Sequence, residues 1–514
     1  MATIRPLHAD QIEMFESIKR NILEIPEGRG VAMAPPGFGK TSVITAVMDY
    51  VATRNRHGVS LMLTPRILLN AQQQQELEEM EIVGMDNIPK KVFIFDSDNN
   101  INTDMVREFV DECYDSGYYP IVVSTYTSCG LLSGFDFDVI CCDEGHNLTQ
   151  RNFFNSVMWK LKKESRRVFF TATPKIGFWQ NKHIDDENKL EAESRGMDNE
   201  NVYGKFVYKM SFSRAVNKGL ILPFKRVTLD GYGCSKASEN IVDLVIHATK
   251  CMQQTIKSDS DLPAKVIFVI QTVEEIKTIC EHSERIKKET GVDVYTAFSQ
   301  NESYHKNGVL FKKGSGGNRK KWFMTDVAEN NNDFIICHHD TMGEGIDVPG
   351  ITGCVLFPTD DVVRIIQNLG RAMRVLPEDR NKPRHERRKQ YAYMGTISYN
   401  GENSSQEFQN GLAEALHQMD SDTFLDAFLT AVLTDGASAE IKPGVIESIK
   451  QNELLAFEHS DVEEIKVFDS DFSDIPDYAE TYAKCETELK QHITRRNVRE
   501  KSDRLKARLL ARKK

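Results

Sequence analysis

The sequence predicts an α/β protein of two tandem parallel-sheet units followed by a mostly helical C-terminal region. Three observations carry this. Short apolar runs alternate with helix-like segments from residue 28 to about 175, and a second set of the same kind runs from Lys265 to about residue 400. Past that point the pattern turns helical, as in GLAEALHQM and DTFLDAFLTAVL. At 514 residues the chain is also too long for a single core. The expected division is 1–210, 211–400 and 401–514.

The first set begins with VAMA (Val31–Ala34), followed by the amphipathic TSVITAVMDYVATR, then SLMLTP, KVFIFD, IVVST, FDVICCDE and RVFFTAT. Runs this apolar, with helices between them, read as strands buried on both faces of a parallel sheet. The polar stretch Asn181–Asn201 reads as a surface insertion or mobile loop. The second set comprises KVIFVI, VDVYTAF, DFIICHHD, ITGCVLFP and QYAYMGTI. An acidic segment, Glu458–Glu480, precedes a basic, helix-like tail.

Hydrophobic content of 40% and charged content of 27% are those of an ordinary soluble chain. The longest apolar runs are strand-sized, far below the ~20 residues that cross a bilayer. The opening MATIRPLHAD lacks the apolar core of a signal peptide. The expectation is a cytoplasmic protein with no membrane partner. None of the ten cysteines forms a C-x-x-C pair, so all are expected to be reduced and structural, with no zinc site. His338 and His339 are adjacent but lack metal-ligand spacing and read as a strand end.

A net charge of -11 lacks the basic signature of a protein that coats nucleic acid. Any positive track must come from clusters, and two exist: Lys312–Lys321 and Arg495–Lys514. The second carries ten Lys or Arg residues against only Glu500 and Asp503. An accessory grip on nucleic acid is favoured there over an internal latch on the acidic segment. Neutralising phosphates releases counterions, whereas pairing exposed side chains gains little.

Chemistry enters at Ala34-Pro-Pro-Gly-Phe-Gly-Lys-Thr41, which follows a strand-like run and opens a helical one. A triphosphate-binding loop needs that setting, because backbone N–H groups and a helix N-terminus wrap the phosphates. Lys40 would reach the β- and γ-phosphates of ATP and Thr41 would hold Mg²⁺ through its hydroxyl. Gly37 and Gly39 would let the backbone approach closely. Ala34 stands where the strict pattern has Gly, and G-K-T also occurs in ordinary turns; the strand–loop–helix setting decides for ATP. Later, VICCDEGH puts Asp143 and Glu144 at a strand end. There they could orient Mg²⁺ (Asp143) and polarise an attacking water (Glu144). Two acids opening a loop are common, and this pair gains force only in combination with the phosphate loop. His146 could join a network between domains or simply cap the next segment.

With these residues in place the chain resembles superfamily 2 helicases. Asp143-Glu144-Gly145-His146 is similar to that family's D-E-x-H box, and Thr171-Ala172-Thr173, followed by Pro174, to its motif III. Thr64-Pro65-Arg66, with Gln72 beyond, resembles motif Ia, and Ser124-Thr125-Tyr126 motif Ib. Gly343-Glu-Gly345-Ile-Asp347-Val-Pro349 resembles motif V, and Gln367-Asn-Leu-Gly370-Arg371-Ala-Met-Arg374 matches Q-x-x-G-R-x-x-R, motif VI. Arg5-Pro6 with Gln11 is a looser likeness to the adenine-contacting element, whose spacing is tighter. Tyr208–Leu222 resembles the interdomain linker of restriction motors and phage repair helicases. The resemblance spans about residues 1–400 and leaves the C-terminal hundred unplaced.

This resemblance implies two RecA-like domains with ATP and Mg²⁺ between them. Nucleotide contacts would come from Pro36, Gly37, Phe38, Gly39, Lys40, Thr41, Ser42, Gln11, Gly345, Asp347 and Gln367. Arg371 and Arg374 would cross from the second domain to neutralise charge on the γ-phosphate. Pro65, Arg66, Ser124 and Thr125 would contact nucleic acid, mainly its phosphates, and tracking would run 3′ to 5′. DNA is favoured over RNA because the DEGH variant, motif VI and the linker look closer to DNA motors. A metabolic P-loop phosphotransferase would explain Lys40, Thr41 and Asp143 but not motifs V and VI. A slow ATP-gated clamp is disfavoured by Glu144 and the two arginines.

Overall fold

The computed structural model describes residues 3–65, 74, 76–84, 86, 88–97, 102–175, 195–197, 199–230, 240–298, 303–311, 319–339, 348, 350–357, 362–380, 382–398, 415 and 419. A two-stranded parallel ribbon pairs β1 (Thr3–Arg5) with β4 (Met80–Ile82). The first main sheet holds β2 (Arg29–Met33), β3 (Ser60–Thr64), β5 (Lys90–Phe95), β6 (Tyr119–Thr125), β7 (Val139–Cys142), β8 (Arg166–Thr171) and β9 (Lys205–Lys209). Its order is β5-β6-β3-β7-β8-β2-β9, and every neighbouring pair is parallel.

The second sheet holds β10 (Phe224–Asp230), β11 (Lys265–Val269), β12 (Asp293–Phe298), β13 (Ser303–Lys306), β14 (Val309–Leu310), β15 (Phe334–His338), β16 (Gly353–Leu356) and β17 (Ala392–Ser398). Its order is β10-β17-β16-β11-β15-β12-β13-β14, parallel except for the antiparallel edge at β12-β13-β14. Helices of eight or more residues are α1 (Ala9–Ile18), α2 (Lys40–Arg54), α3 (Thr103–Asp115), α4 (Ile241–Asp259), α5 (Val273–Glu281), α6 (Ser283–Thr290), α7 (Arg319–Glu329) and α8 (Val362–Ala372).

Each predicted apolar run became a strand, central in its sheet except for β5 at one edge, and alternate residues face two different cores. In the first sheet Ala32, Met62, Val123, Cys141 and Phe170 pack into one apolar cluster, while Val31, Leu61, Val122, Ile140 and Phe169 pack into another. In the second sheet Ile267, Ile336 and Cys354 share the first of these clusters, and Val266, Phe268, Ile335 and Val355 enter a third. One continuous core therefore joins both sheets, passing through Phe38, Ile221, Leu369 and Met373. Ala415 and Met419, one helical turn apart, are buried in the same core.

The strands the sequence reading missed are mostly at edges. In β9 only Tyr208 is buried, so its sequence shows no apolar run. The polar stretch expected to be a surface loop is packed at its C-terminal end: Met197 is fully buried and its N–H donates to the Lys175 carbonyl. The tail, the acidic segment and Lys312–Gly317 lie outside the described residues.

Candidate functional site

The loop from Ala34 to Gly39 leaves the C-terminal end of β2 and enters α2. It turns through positive φ at Gly37 (84°) and Gly39 (87°), where a side chain would be strained. Gly39 is the N-cap of α2 and supplies no side-chain cap, so the first-turn N–H groups are available to an anion. Lys40 Nζ donates to the loop's own carbonyls, Ala34 O at 3.2 Å and Pro35 O at 3.4 Å. The loop is braced from below. Gln11 Nε2 donates to Phe38 O (3.0 Å) and Gly39 O (3.1 Å), while Gln11 Oε1 accepts from His8 N (3.1 Å). The Phe38 ring is buried edge-on against His8, with centroids 5.0 Å apart.

Parallel register brings the other candidates to the same sheet edge. Leu63 pairs with Cys142, Thr64 with Thr125, and Met33 with Thr171. Asp143 and Glu144 follow β7 directly. Glu144 sits at φ 49°, a left-handed conformation rare for a side-chain-bearing residue, and its N–H donates to Asp143 Oδ1 at 3.1 Å. The Asp143 carbonyl accepts from the buried Tyr126 hydroxyl. Both acids are half-buried, and Glu144 Oε2 is covered beside His146.

His146 is fully buried, and burial, with Lys175 and Lys40 near, holds its imidazole well below the ordinary range and therefore neutral. Asn147 Nδ2 donates to the Glu144 carbonyl (3.2 Å) and to His146 Nε2 (3.3 Å), which assigns the ring proton to Nδ1. Nδ1 lies 3.1 Å from Thr171 Oγ1, 3.4 Å from Thr173 Oγ1 and 3.4 Å from Glu144 Oε2. The histidine thus joins Glu144 to the end of β8 within one domain. Among the described residues, its ring hydrogen bonds stay within the first domain.

The second sheet supplies the opposite wall. A Cβ built on Gly370 of α8 would stand 2.5 Å from Pro36, and one built on Gly37 would stand 3.1 Å from Arg374 Cγ and 3.6 Å from Ile221 Cγ2. Helix α8 therefore lies directly on the phosphate loop. Arg371 and Gln367 are buried and Arg374 is half-buried, its guanidinium pushed below its usual range by desolvation. His338, the last residue of β15, is buried near Arg371 and Arg364 and is held well below the ordinary imidazole range, chiefly by burial.

Residues 5–176 match the family model of the Type III restriction enzyme res subunit. No curated protein matches the sequence. Among solved structures, the ATP-dependent Type ISP restriction-modification enzyme LlaBIII bound to DNA aligns with a TM-score of 0.59 at 19% identity, over 86% of this chain and 31% of that one. The chain spans less than a third of that enzyme's length. Mss116p (NTE and C-tail double deletion), bound to ssRNA and AMP-PNP, aligns with a TM-score of 0.50 at 12% identity, over 84% of this chain and 80% of that one.

Residues 5–176 are thus similar to a restriction-enzyme res subunit, and the chain shares its fold with LlaBIII. The fold is that of two tandem RecA-like α/β domains. Asp143 and Glu144 follow β7 at the sheet edge from which the loop Ala34–Gly39 also leaves, and Arg374 lies against Gly37 of that loop. Gln11 lies there too, but its amide is bonded to the loop rather than open toward a base. Ser124 and Thr125 end β6 at the expected edge, yet both are buried, and Thr125 Oγ1 donates to Ser128 Oγ at 3.1 Å. Pro65 is half-buried at the end of β3. Arg66, Gly345 and Asp347 lie outside the described residues. Sequence reasoning missed His8, which caps α1 and supports the loop; a His three residues before a Gln was the only available signal.

Proposed function

We propose that this chain is a nucleic-acid-stimulated ATPase that translocates along, or unwinds, nucleic acid, with DNA as the favoured track. The observation that carries the reading is the contact of Gly370 and Arg374 with Pro36 and Gly37, which sets a candidate finger arginine, Arg374, against a phosphate loop. In this reading Lys40 exchanges its two neutral carbonyl partners for phosphate oxygens, a charge-assisted and stronger bond. Glu144, tied to His146 and the β8 end, polarises the attacking water. Arg371 and Arg374 stabilise the charge spreading over the transferred phosphoryl group. The hydroxyl of Thr41 and the carboxylate of Asp143 are hard oxygen donors of the kind Mg²⁺ takes, and the ion would neutralise β- and γ-phosphate charge.

Because the arginines and the loop belong to different sheets, the triphosphate favours closure and its hydrolysis favours opening. Alternate grip by the two domains then moves the chain along a phosphate backbone. DNA is favoured because residues 5–176 fall in a restriction-enzyme family and because LlaBIII was solved on DNA. The test is steady-state ATP hydrolysis with single-stranded DNA, duplex DNA, forked DNA or single-stranded RNA. Stimulation of tenfold or more by a DNA form is the expected result. Equal rates with and without every nucleic acid would overturn the motor reading, and stimulation by RNA alone would overturn the DNA preference.

A further inference from the structure

After α8 the chain makes a short excursion and returns at Lys389 to the C-terminal end of that helix. Lys389 is 2% exposed. Its Nζ donates to Ile351 O at 2.5 Å, Ala372 O at 2.6 Å and Arg374 O at 3.0 Å. An ammonium has three donors, and here each has a carbonyl. The backbone N–H of Lys389 donates to Asp379 Oδ2 at 3.2 Å, which fixes the lysine's own strand entry.

The carbonyls it takes are those a helix leaves without partners at its end, where a cation is also favoured by the helix dipole. The carbonyl between them, Met373 O, accepts from Leu222 N at 2.8 Å, and Ile221 forms a β-bridge with Arg374. Residues 372, 373 and 374 are thus held from two sides, by Lys389 and by the segment that connects the sheets. Burying an amine is costly, and burial with Arg374 near pushes Lys389 down to about 7. A cost of that kind is unneeded for filling space, which an apolar chain would do.

We infer that Lys389 is a positioning residue: it fixes the backbone at the C-terminal end of α8 and thereby aims Arg374 at the phosphate loop. The inference rests on the arginine role proposed above. It is tested with full-length Lys389→Met, Lys389→Gln, Arg374→Ala and the Lys389→Met/Arg374→Ala double variant. Each is checked for fold by circular dichroism, then measured for ATP turnover at saturating nucleic acid and for binding of ADP and of ADP–aluminium fluoride, a mimic of the transferring phosphoryl group.

Lys389→Met should lower kcat by about tenfold or more and weaken ADP–aluminium fluoride comparably, while KM and ADP affinity change by less than about threefold. Lys389→Gln, which keeps two N–H donors, should lose less. The double variant should be no slower than Arg374→Ala alone, since the lysine acts through the arginine. A folded Lys389 variant with kcat within about twofold of wild type, or losses that multiply in the double variant, would overturn the inference. If Lys389→Met does not fold, Lys389→Gln decides. Wild-type turnover by Arg374→Ala would instead sink the arginine reading itself.

Discussion

Gly370 stands so close to Pro36 that a Cβ on the glycine would lie 2.5 Å from both Cβ and Cγ of the proline ring. The obstacle is a rigid ring, so the added methyl can be accommodated only by moving α8 off the phosphate loop. The strands of each sheet keep their own packing, because the clash lies between α8 and the loop. Gly370→Ala should therefore cut ATP turnover by about tenfold or more with little change in melting temperature. Turnover assays beside thermal melts check this; wild-type turnover would mean the contact is not needed for hydrolysis.

Glu144 is held in a left-handed turn, its side chain 19% exposed and its carboxylate beside His146. Glu144→Gln keeps the shape and removes the charge that would orient water. The variant should bind ATP normally and turn it over on the order of 10²-fold more slowly, while holding nucleic acid longer in the presence of ATP. Nucleotide titration and single-turnover hydrolysis separate the two effects. Loss of ATP binding in a folded protein would point to a structural carboxylate instead.

His146 and His338 are both fully buried and both held well below the ordinary imidazole range by burial. Unfolding raises them to about 6.5, so below that pH the unfolded chain takes up protons that the folded chain refuses. Stability should fall as pH falls from 7 to 5, by up to about 1.4 kcal/mol per pH unit for each ring. Replacing one, as in His338→Gln, should flatten the decline. Melting temperatures across that range decide it; a variant as acid-sensitive as the wild type would contradict the assignment.

Lys90 and Asp49 form a buried ion pair at 2.6 Å, with side chains 4% and 0% exposed, and Lys90 also donates to Met80 O. The pair ties α2, which carries the phosphate loop, to β5 and β4. Lys90→Met alone should cost about 3–5 kcal/mol because it strands a carboxylate, whereas Asp49→Leu/Lys90→Met should recover most of that loss. Urea unfolding of the three proteins measures it. A double variant as unstable as the single one would show that the pair contributes more than it costs to bury.

Local patterns made the core of this site legible. The phosphate loop, the acids after β7 and the Gln367–Arg374 helix each lie within a few residues of sequence, beside a strong strand or helix signal. Lys389 has no such signature, since its partners are 15, 17 and 38 residues away and only the fold brings them together. His146 left two readings open in sequence because Thr171 and Thr173 lie on a neighbouring strand. Edge strands β9, β10 and β14, and β13 beside the edge, escaped notice because partly exposed strands mix polar with apolar residues. That Ser124 and Thr125 are buried was not legible either, because a residue type cannot reveal that it will be covered.

The arginine wall and the phosphate loop are parts of one polypeptide, joined through the short segment that carries the helix Phe212–Asn217 and the bridge at Ile221. Their encounter is therefore intramolecular, with an effective concentration on the order of millimolar or higher. Diluting the protein does not dilute one wall away from the other. An enzyme that borrows its finger from a second subunit loses specific activity on dilution; this arrangement makes each copy self-sufficient in completing the cleft.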